Sequence, residues 1–157
     1  MRRGVRLAFD VGKVRIGVAS CDAEGILCSP VETLHRDRRG NDHILDAADI
    51  VAEYSPIEII VGLPKNMDGS EGPAARDARR FATQLSLQNR NIGVRLVDER
   101  LTTVAAHRNL HAAGRSERSH RAVIDQEAAA LILRLALDIE ESTGRPPGEP
   151  AGGGRKG

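Results

Sequence analysis

The sequence is poor in aromatic residues: its 157 positions hold two phenylalanines, one tyrosine and no tryptophan. Single-strand binding surfaces of the RRM or OB kind stack bases on aromatic side chains, so this chain has no material for them. Any nucleic acid it holds must be gripped by the backbone. Cysteine is also scarce. Cys21 and Cys28 cannot build a disulfide framework, and neither has the His ligands or second Cys pair of a zinc site. Read as neighbours across a hairpin, they are expected to be two small buried thiols, with a bridge between them as the alternative. Net charge is nearly absent: 23 basic against 22 acidic residues leave +1. That excludes a protein that coats nucleic acid nonspecifically, while leaving room for a local basic patch. No run approaches the ~20 apolar residues of a membrane span. The N-terminal Met1-Arg2-Arg3-Gly4 leads straight into a strand-like pattern instead of a secretory apolar segment, so the expected location is the cytoplasm. A P-loop, a Gly-x-Ser-x-Gly elbow and a His-x-x-x-His helix with its Glu are missing, which removes the common NTPase, serine-hydrolase and zinc-hydrolase readings.

What is present, 40% hydrophobic and 29% charged residues, is the balance of one ordinary globular domain, long enough for a single core without a disulfide or metal staple. Residues 5–10, 14–20 and 26–34 read as three strands, with short connections around Gly12 and Gly25 that make an antiparallel meander. Asp42 to Tyr54 carries Ile44, Leu45, Ala48, Ile50 and Val51 at near-helical spacing and stops at Ser55-Pro56. Residues 57–62 form an apolar run typical of a strand buried on both faces. After a polar loop, Pro73 opens a second helix running to Asn89, with Ala74, Ala78, Phe81, Ala82 and Leu85 on its inner side. A strand over 94–99 follows. Thr102 or Thr103 then caps a helix to Ala113, closed by Gly114. The final helix, 119–142, has a stripe that includes Ile124, Ala128, Ile132, Leu135 and Ile139. Residues 144–157 contain six glycines and three prolines and are expected to be a disordered tail behind a domain of residues 1–143. The order βββαβαβαα predicts an α/β fold: a mixed five-stranded sheet with helices on both faces.

Asp10 stands at the carboxyl end of the strand that this topology puts at the sheet's centre, where open α/β sheets place their functional crevice. By itself, Asp10-x-Gly12-Lys13 equally describes a turn. Asp98-Glu99-Arg100 ends the last strand, with more charge than a helix dipole needs. Strand alternation points Asp98 and Glu99 to opposite faces, and spacing does not choose between them. Asp125 shares its side of the final helix with Arg121, Ala122, Ala128, Ala129 and Ile132, so it borders the stripe that faces the protein, and Ala128-Ala129-Ala130 permit close approach to the sheet. Three carboxylates converging in one cleft repel unless a cation sits between them, and oxygen donors suit Mg²⁺ or Mn²⁺. Two such ions ~4 Å apart activate a water and stabilise the departing oxygen in phosphodiester hydrolysis. Arg100, Arg108, Arg115, Arg118 and Arg121, with His107, His111 and His120, face Glu117 as the lone acid of their stretch, which predicts a rim that grips phosphates. Lys65, Asn66 and Ser70 are further candidates. The 20 arginines against three lysines favour forked phosphate contacts.

Four motifs then carry a resemblance: Leu7-Ala8-Phe9-Asp10-Val11-Gly12 with Arg15-Ile16-Gly17-Val18-Ala19; Val61-Gly62-Leu63-Pro64-Lys65-Asn66-Met67-Asp68-Gly69-Ser70; Val97-Asp98-Glu99-Arg100-Leu101-Thr102-Thr103; and Ile124-Asp125 with Ala128-Ala129. In this order, over residues 5–140, they resemble the RuvX (YqgF) family. The resemblance implies an RNase H-like fold related to the RuvC Holliday-junction resolvases and a nuclease that trims the 5′ end of precursor 16S rRNA. It implies that Asp10, Glu99 and Asp125 are the metal-binding catalytic acids, with Mg²⁺ or Mn²⁺ as cofactor. Lys13, Arg15, Lys65, Arg100, Arg108, Arg115, Arg118 and Arg121 are expected to hold nucleic acid, either structured RNA or branched DNA, with ribosomal precursor particles as a partner and no membrane. A monomer suits rRNA trimming, whereas symmetric junction cleavage needs a homodimer. The competing reading is a noncatalytic nucleic-acid-binding or ribosome-assembly module on the same fold. Asp10-x-Gly12 also resembles the phosphate loop of the actin and Hsp70 ATPases, which need two such lobes where this chain has room for one.

Overall fold

The computed structural model describes residues 1–36, 40, 42–100 and 118–152; for 118–123 it describes the backbone. Strands β1 (Arg6–Val11), β2 (Arg15–Cys21) and β3 (Cys28–His35) form the expected meander. Helix α1 (Asp42–Tyr54) leads to β4 (Glu58–Leu63), α2 (Pro73–Gln88) and β5 (Gly93–Asp98), and the long α3 (Arg118–Thr143) ends at a two-residue β6 (Glu149–Pro150). The helix expected over 102–113 lies outside the described residues.

The sheet order is β3-β2-β1-β4-β5-β6, with β1 parallel to β4, β4 parallel to β5, and the other pairs antiparallel. Among the described residues there are six strands where five were expected. The sequence reading takes everything from Gly144 as disordered tail, yet Glu149–Pro150 pairs with β5 at Arg95 and Leu96, and Ala151 is buried and donates its N–H to the Val94 carbonyl. Gly148 makes this possible: its φ is +67°, and a Cβ there would lie 2.0 Å from the Leu96 carbonyl oxygen. Glycine permits both the turn and the approach, so here it shapes a strand and not a loose end.

Alternation along β1 sorts the core into two layers. Leu7, Phe9 and Val11 face α1 and α2, where Phe9 meets Phe81 with ring centroids 5.5 Å apart. Ala8 faces α3 with Ile60, Val97, Ile132 and Leu133. Helices therefore cover both faces, as expected. α1 buries His43, Ile44, Ala47, Ile50 and Val51, the regular three-four spacing, which leaves Leu45 outside at 53% exposure against expectation. On α2 the inward residue of the first turn is Ala75, not Ala74. α3 is tied to the meander by Gln126, which donates to the Thr33 hydroxyl, and by Arg134, which donates to the carbonyls of Gly25 and Ile26. Cys21 and Cys28 are direct cross-strand partners and both are free thiols; burial pushes both upward, Cys28 to about 11. No described helix is long and apolar enough to cross a membrane.

Candidate nucleic-acid cleavage site

The sheet face under α3 carries one row of residues that defines the site. Asp10 on β1 is the cross-strand partner of Gly17 on β2, and the β1–β4 register, with Phe9 opposite Val61, brings Asp10 beside Gly62 one step further. Asp10 is thus flanked on both sides by glycine, at the ~4.8 Å spacing of neighbouring strands. Each glycine is a space that another acid's segment fills. A Cβ at Gly17 would lie 2.0 Å from the Asp125 carbonyl oxygen and 3.0 Å from the Asp125 Cβ, so α3 rests directly on the strand there. A Cβ at Gly62 would lie 2.6 Å from Oε2 of Glu99 and 2.6 Å from Cδ1 of Ile132. Glu99 follows β5 directly, its N–H donating to the Leu63 carbonyl at 3.3 Å, and folds its carboxylate over Gly62. Asp10 and Glu99 are buried, at 4% and 3% exposure.

This geometry separates Asp98 from Glu99 by face. Val97 belongs to the α3-side layer and Leu96 to the other, so Glu99 lies with Val97 and Asp10 while Asp98 points away. Asp98 instead accepts hydrogen bonds from the Arg100 main-chain N–H, Nε and Nη2. Burial pushes its carboxyl up, but the Arg100 side chain and main chain outweigh this and hold it below the usual range. Arg100 also reaches towards the Met67 carbonyl, tying the end of β5 to the loop after β4. In that loop Asn66, Asp68 and Ser70 bond to one another, as the side chains of a polar turn do.

Arg15 begins β2 on the α3 face, two residues before Gly17, and its Nε donates to Oδ2 of Asp125 at 2.7 Å. Lys13 is exposed at the tip of the β1–β2 turn and Lys65 is half-buried after β4. Arg118 and Arg121 lie in the opening turns of α3; Arg108 and Arg115, with His107 and His111, lie outside the described residues. Gly17 and Gly62 escape a sequence reading that looks for chemical groups, although both stand inside the quoted motifs. Arg36, left unassigned by the sequence, donates to the Gly12 carbonyl at 2.9 Å and forks onto Asp77 of α2, bracing the turn that follows Asp10.

The donor set of Asp10, Glu99 and Asp125 is all carboxylate oxygen, which suits a hard divalent cation. Among the described residues no three His, Cys, Asp or Glu side chains are already gathered round one point, and Asp125 is engaged by Arg15. The three acids share a face and a row; closing them on one ion requires side-chain rotation.

A mixed sheet with an acid at the end of its central strand, covered by helices on both faces, places the molecule among RNase H-like folds. The structure of Thermus thermophilus RuvC in complex with a Holliday junction substrate superposes with a TM-score of 0.56 at 10% identity, covering 93% of this chain and 98% of that one. A second Thermus thermophilus RuvC structure gives 0.56 at 11% identity over 93% of this chain and 99% of that one. In sequence, a Streptomyces coelicolor protein is 54% identical over 150 residues, covering 95% of this chain and 89% of its own length, and one from Kineococcus radiotolerans is 51% identical over 156 residues, 98% of this chain and 81% of its own. Both bear the name "Putative pre-16S rRNA nuclease". The chain belongs to the RuvX family, described as Holliday junction resolvase, whose family model matches residues 4–139.

Proposed function

We propose that the protein is a divalent-metal-dependent nuclease that hydrolyses phosphodiester bonds in structured nucleic acid, and that its substrate in the cytoplasm is the 5′ extension of precursor 16S rRNA. The observation that carries this reading is the row Gly17, Asp10, Gly62, in which two missing side chains let Asp125 and Glu99 close on a buried central acid. Asp10, Glu99 and Asp125 would hold the metal, Mg²⁺ or Mn²⁺, which when bound activates a water for attack on phosphorus and stabilises the departing oxygen. Asp10 is buried on β1 and Glu99 just past β5, so both carboxylates stand on the α3 side of the sheet before substrate arrives. Lys13, at the exposed tip of the turn, Lys65 and the arginines of α3's first turns would grip phosphates on either side. The names of the sequence relatives support rRNA as the target, and the RuvC superposition supports a branched DNA as the competitor.

The test incubates the protein with end-labelled 5′-extended precursor rRNA and with four-way DNA junctions, in Mn²⁺ or in EDTA. We expect metal-dependent shortening of the rRNA. Junction cleavage alone would keep the nuclease and change its substrate. Binding of either substrate without cleavage would replace the nuclease by an assembly module.

A further inference from the structure

We propose that Arg15 is an exchangeable counter-cation of the site: its guanidinium neutralises Asp125 while no metal is bound, and is released to a nucleic-acid phosphate when a divalent ion takes that carboxylate. This rests on Asp10, Glu99 and Asp125 being the metal-holding acids.

Several arginines of this chain are held by more than one bond. Arg2 bonds Glu58 and Glu140 together. Arg36 forks onto Asp77 and also reaches the Gly12 carbonyl. Arg79 forks onto Glu71 and extends to Glu149. Arg100 grips Asp98 through Nε and Nη2. Each of these is locked by two or more bonds that would have to break together. Arg15 makes a single bond, from Nε to Oδ2 of Asp125, and among the described residues its two terminal nitrogens have no other partner. A guanidinium carries five N–H donors in a planar fork, so most of this one's capacity is unspent.

Its position makes the exchange consequential. Arg15 lies on the same sheet face as Asp10, and its pair with Asp125 is partly open to solvent, the arginine side chain 25% and the aspartate 21% exposed. The oxygen it holds belongs to the carboxylate the metal requires. A divalent ion and a guanidinium at one carboxylate put three positive charges within a few ångströms, so binding of the first weakens the hold on the second. The displaced head rides on a flexible three-methylene stem beside the row of acids where the substrate's phosphates would lie, and phosphate offers it a forked, charge-matched partner. Metal binding and substrate grip would thereby be coupled, each favouring the other. A single residue then serves two states: before the metal it neutralises Asp125 at the contact between α3 and β2, and afterwards it contributes to binding.

Isothermal titration of the nucleic-acid-free protein with MnCl₂ tests the first half. Relieved of a competitor, Arg15→Gln and Arg15→Ala should bind Mn²⁺ about 3- to 10-fold more tightly than wild type, and Arg15→Lys, which keeps the charge, should stay within about 2-fold. A purely structural role predicts the reverse, weaker binding in the variants, and that result or unchanged affinity overturns the exchange. Asp10→Asn serves as the control on the underlying site: if it binds Mn²⁺ as wild type does, the metal-site reading itself has failed. The second half is read from the salt dependence of binding to an RNA stem with cleavage-resistant phosphorothioate linkages. In Mn²⁺, Arg15→Gln should lose about one unit of the salt slope relative to wild type, and in EDTA it should lose none. A loss in both conditions would make Arg15 a permanent phosphate contact, and a loss in neither would leave it off the substrate; both contradict the exchange.

Discussion

Asp98 and Glu99 are adjacent carboxylates with opposite fates, and they can be separated by substitution. If Glu99 is the metal ligand proposed above, Glu99→Gln should lower cleavage of precursor rRNA by more than ~10²-fold, because it removes a charged donor from a buried site. Asp98→Asn should leave the rate within about 3-fold and cost less than ~1 kcal/mol in a urea titration, since it weakens a half-exposed pair with Arg100. Gly62→Ala tests the space rather than the chemistry. Its methyl would fall 2.6 Å from both the Glu99 carboxylate and Ile132, so the acid must turn aside, and cleavage should drop by ~10-fold or more while urea stability falls by about 1–3 kcal/mol. If Gly62→Ala were as active as wild type, Glu99 would not need its place over that glycine. These glycines show why the site was only partly legible in the sequence. Carboxylates announce their chemistry by type, but strand alternation alone could not say whether Asp98 or Glu99 faced the cleft; choosing needs the layer to which Val97 belongs.

Among the elements, the strands and helices were readable because their periods are strong: α1 begins and ends where Asp42 and Ser55-Pro56 place it. Leu45 was misplaced because an apolar residue one step off the stripe looks the same to composition. β6 was illegible for a different reason, since Gly and Pro signal disorder by count, whereas Gly148 works through one positive φ and one close contact with Leu96. Deleting residues 149–157 should therefore lower the melting temperature by several degrees, through loss of the β5–β6 pairing and the Ala151 contact with the core, as followed by thermal denaturation. Cleavage below the transition should persist, because β6 borders β5 on the side away from Asp10. A melting temperature equal to that of the full chain would mean the strand adds nothing.

For the molecule as a whole, an ion network at the end of the sheet opposite the site sets its response to acid. Glu140 on α3 accepts from the Arg2 main chain and side chain and from Arg6, and the Arg2 side chain above all holds its carboxyl down to about 2 against an ordinary 4.5. A depressed acid stabilises the fold above its unfolded value and loses that contribution as pH falls through its folded one, so stability should drop between about pH 5 and pH 2. Glu58 opposes this in part: burial holds its carboxyl above the ordinary range despite Arg2, so its protonation on acidification relieves a cost. Urea midpoints at pH 7, 5 and 3 should fall steeply for wild type and more gently for Glu140→Gln, which starts lower; parallel curves would remove Glu140 from the account. The active end of the molecule is tested most directly by diffraction from crystals soaked in MnCl₂, with data collected at the manganese absorption edge. The expected result is an anomalous peak within ~2.5 Å of carboxylate oxygens of both Asp10 and Glu99, with Asp125 turned from Arg15 towards it. A fully occupied manganese elsewhere, with this row of acids empty and the Arg15–Asp125 pair intact, would contradict it.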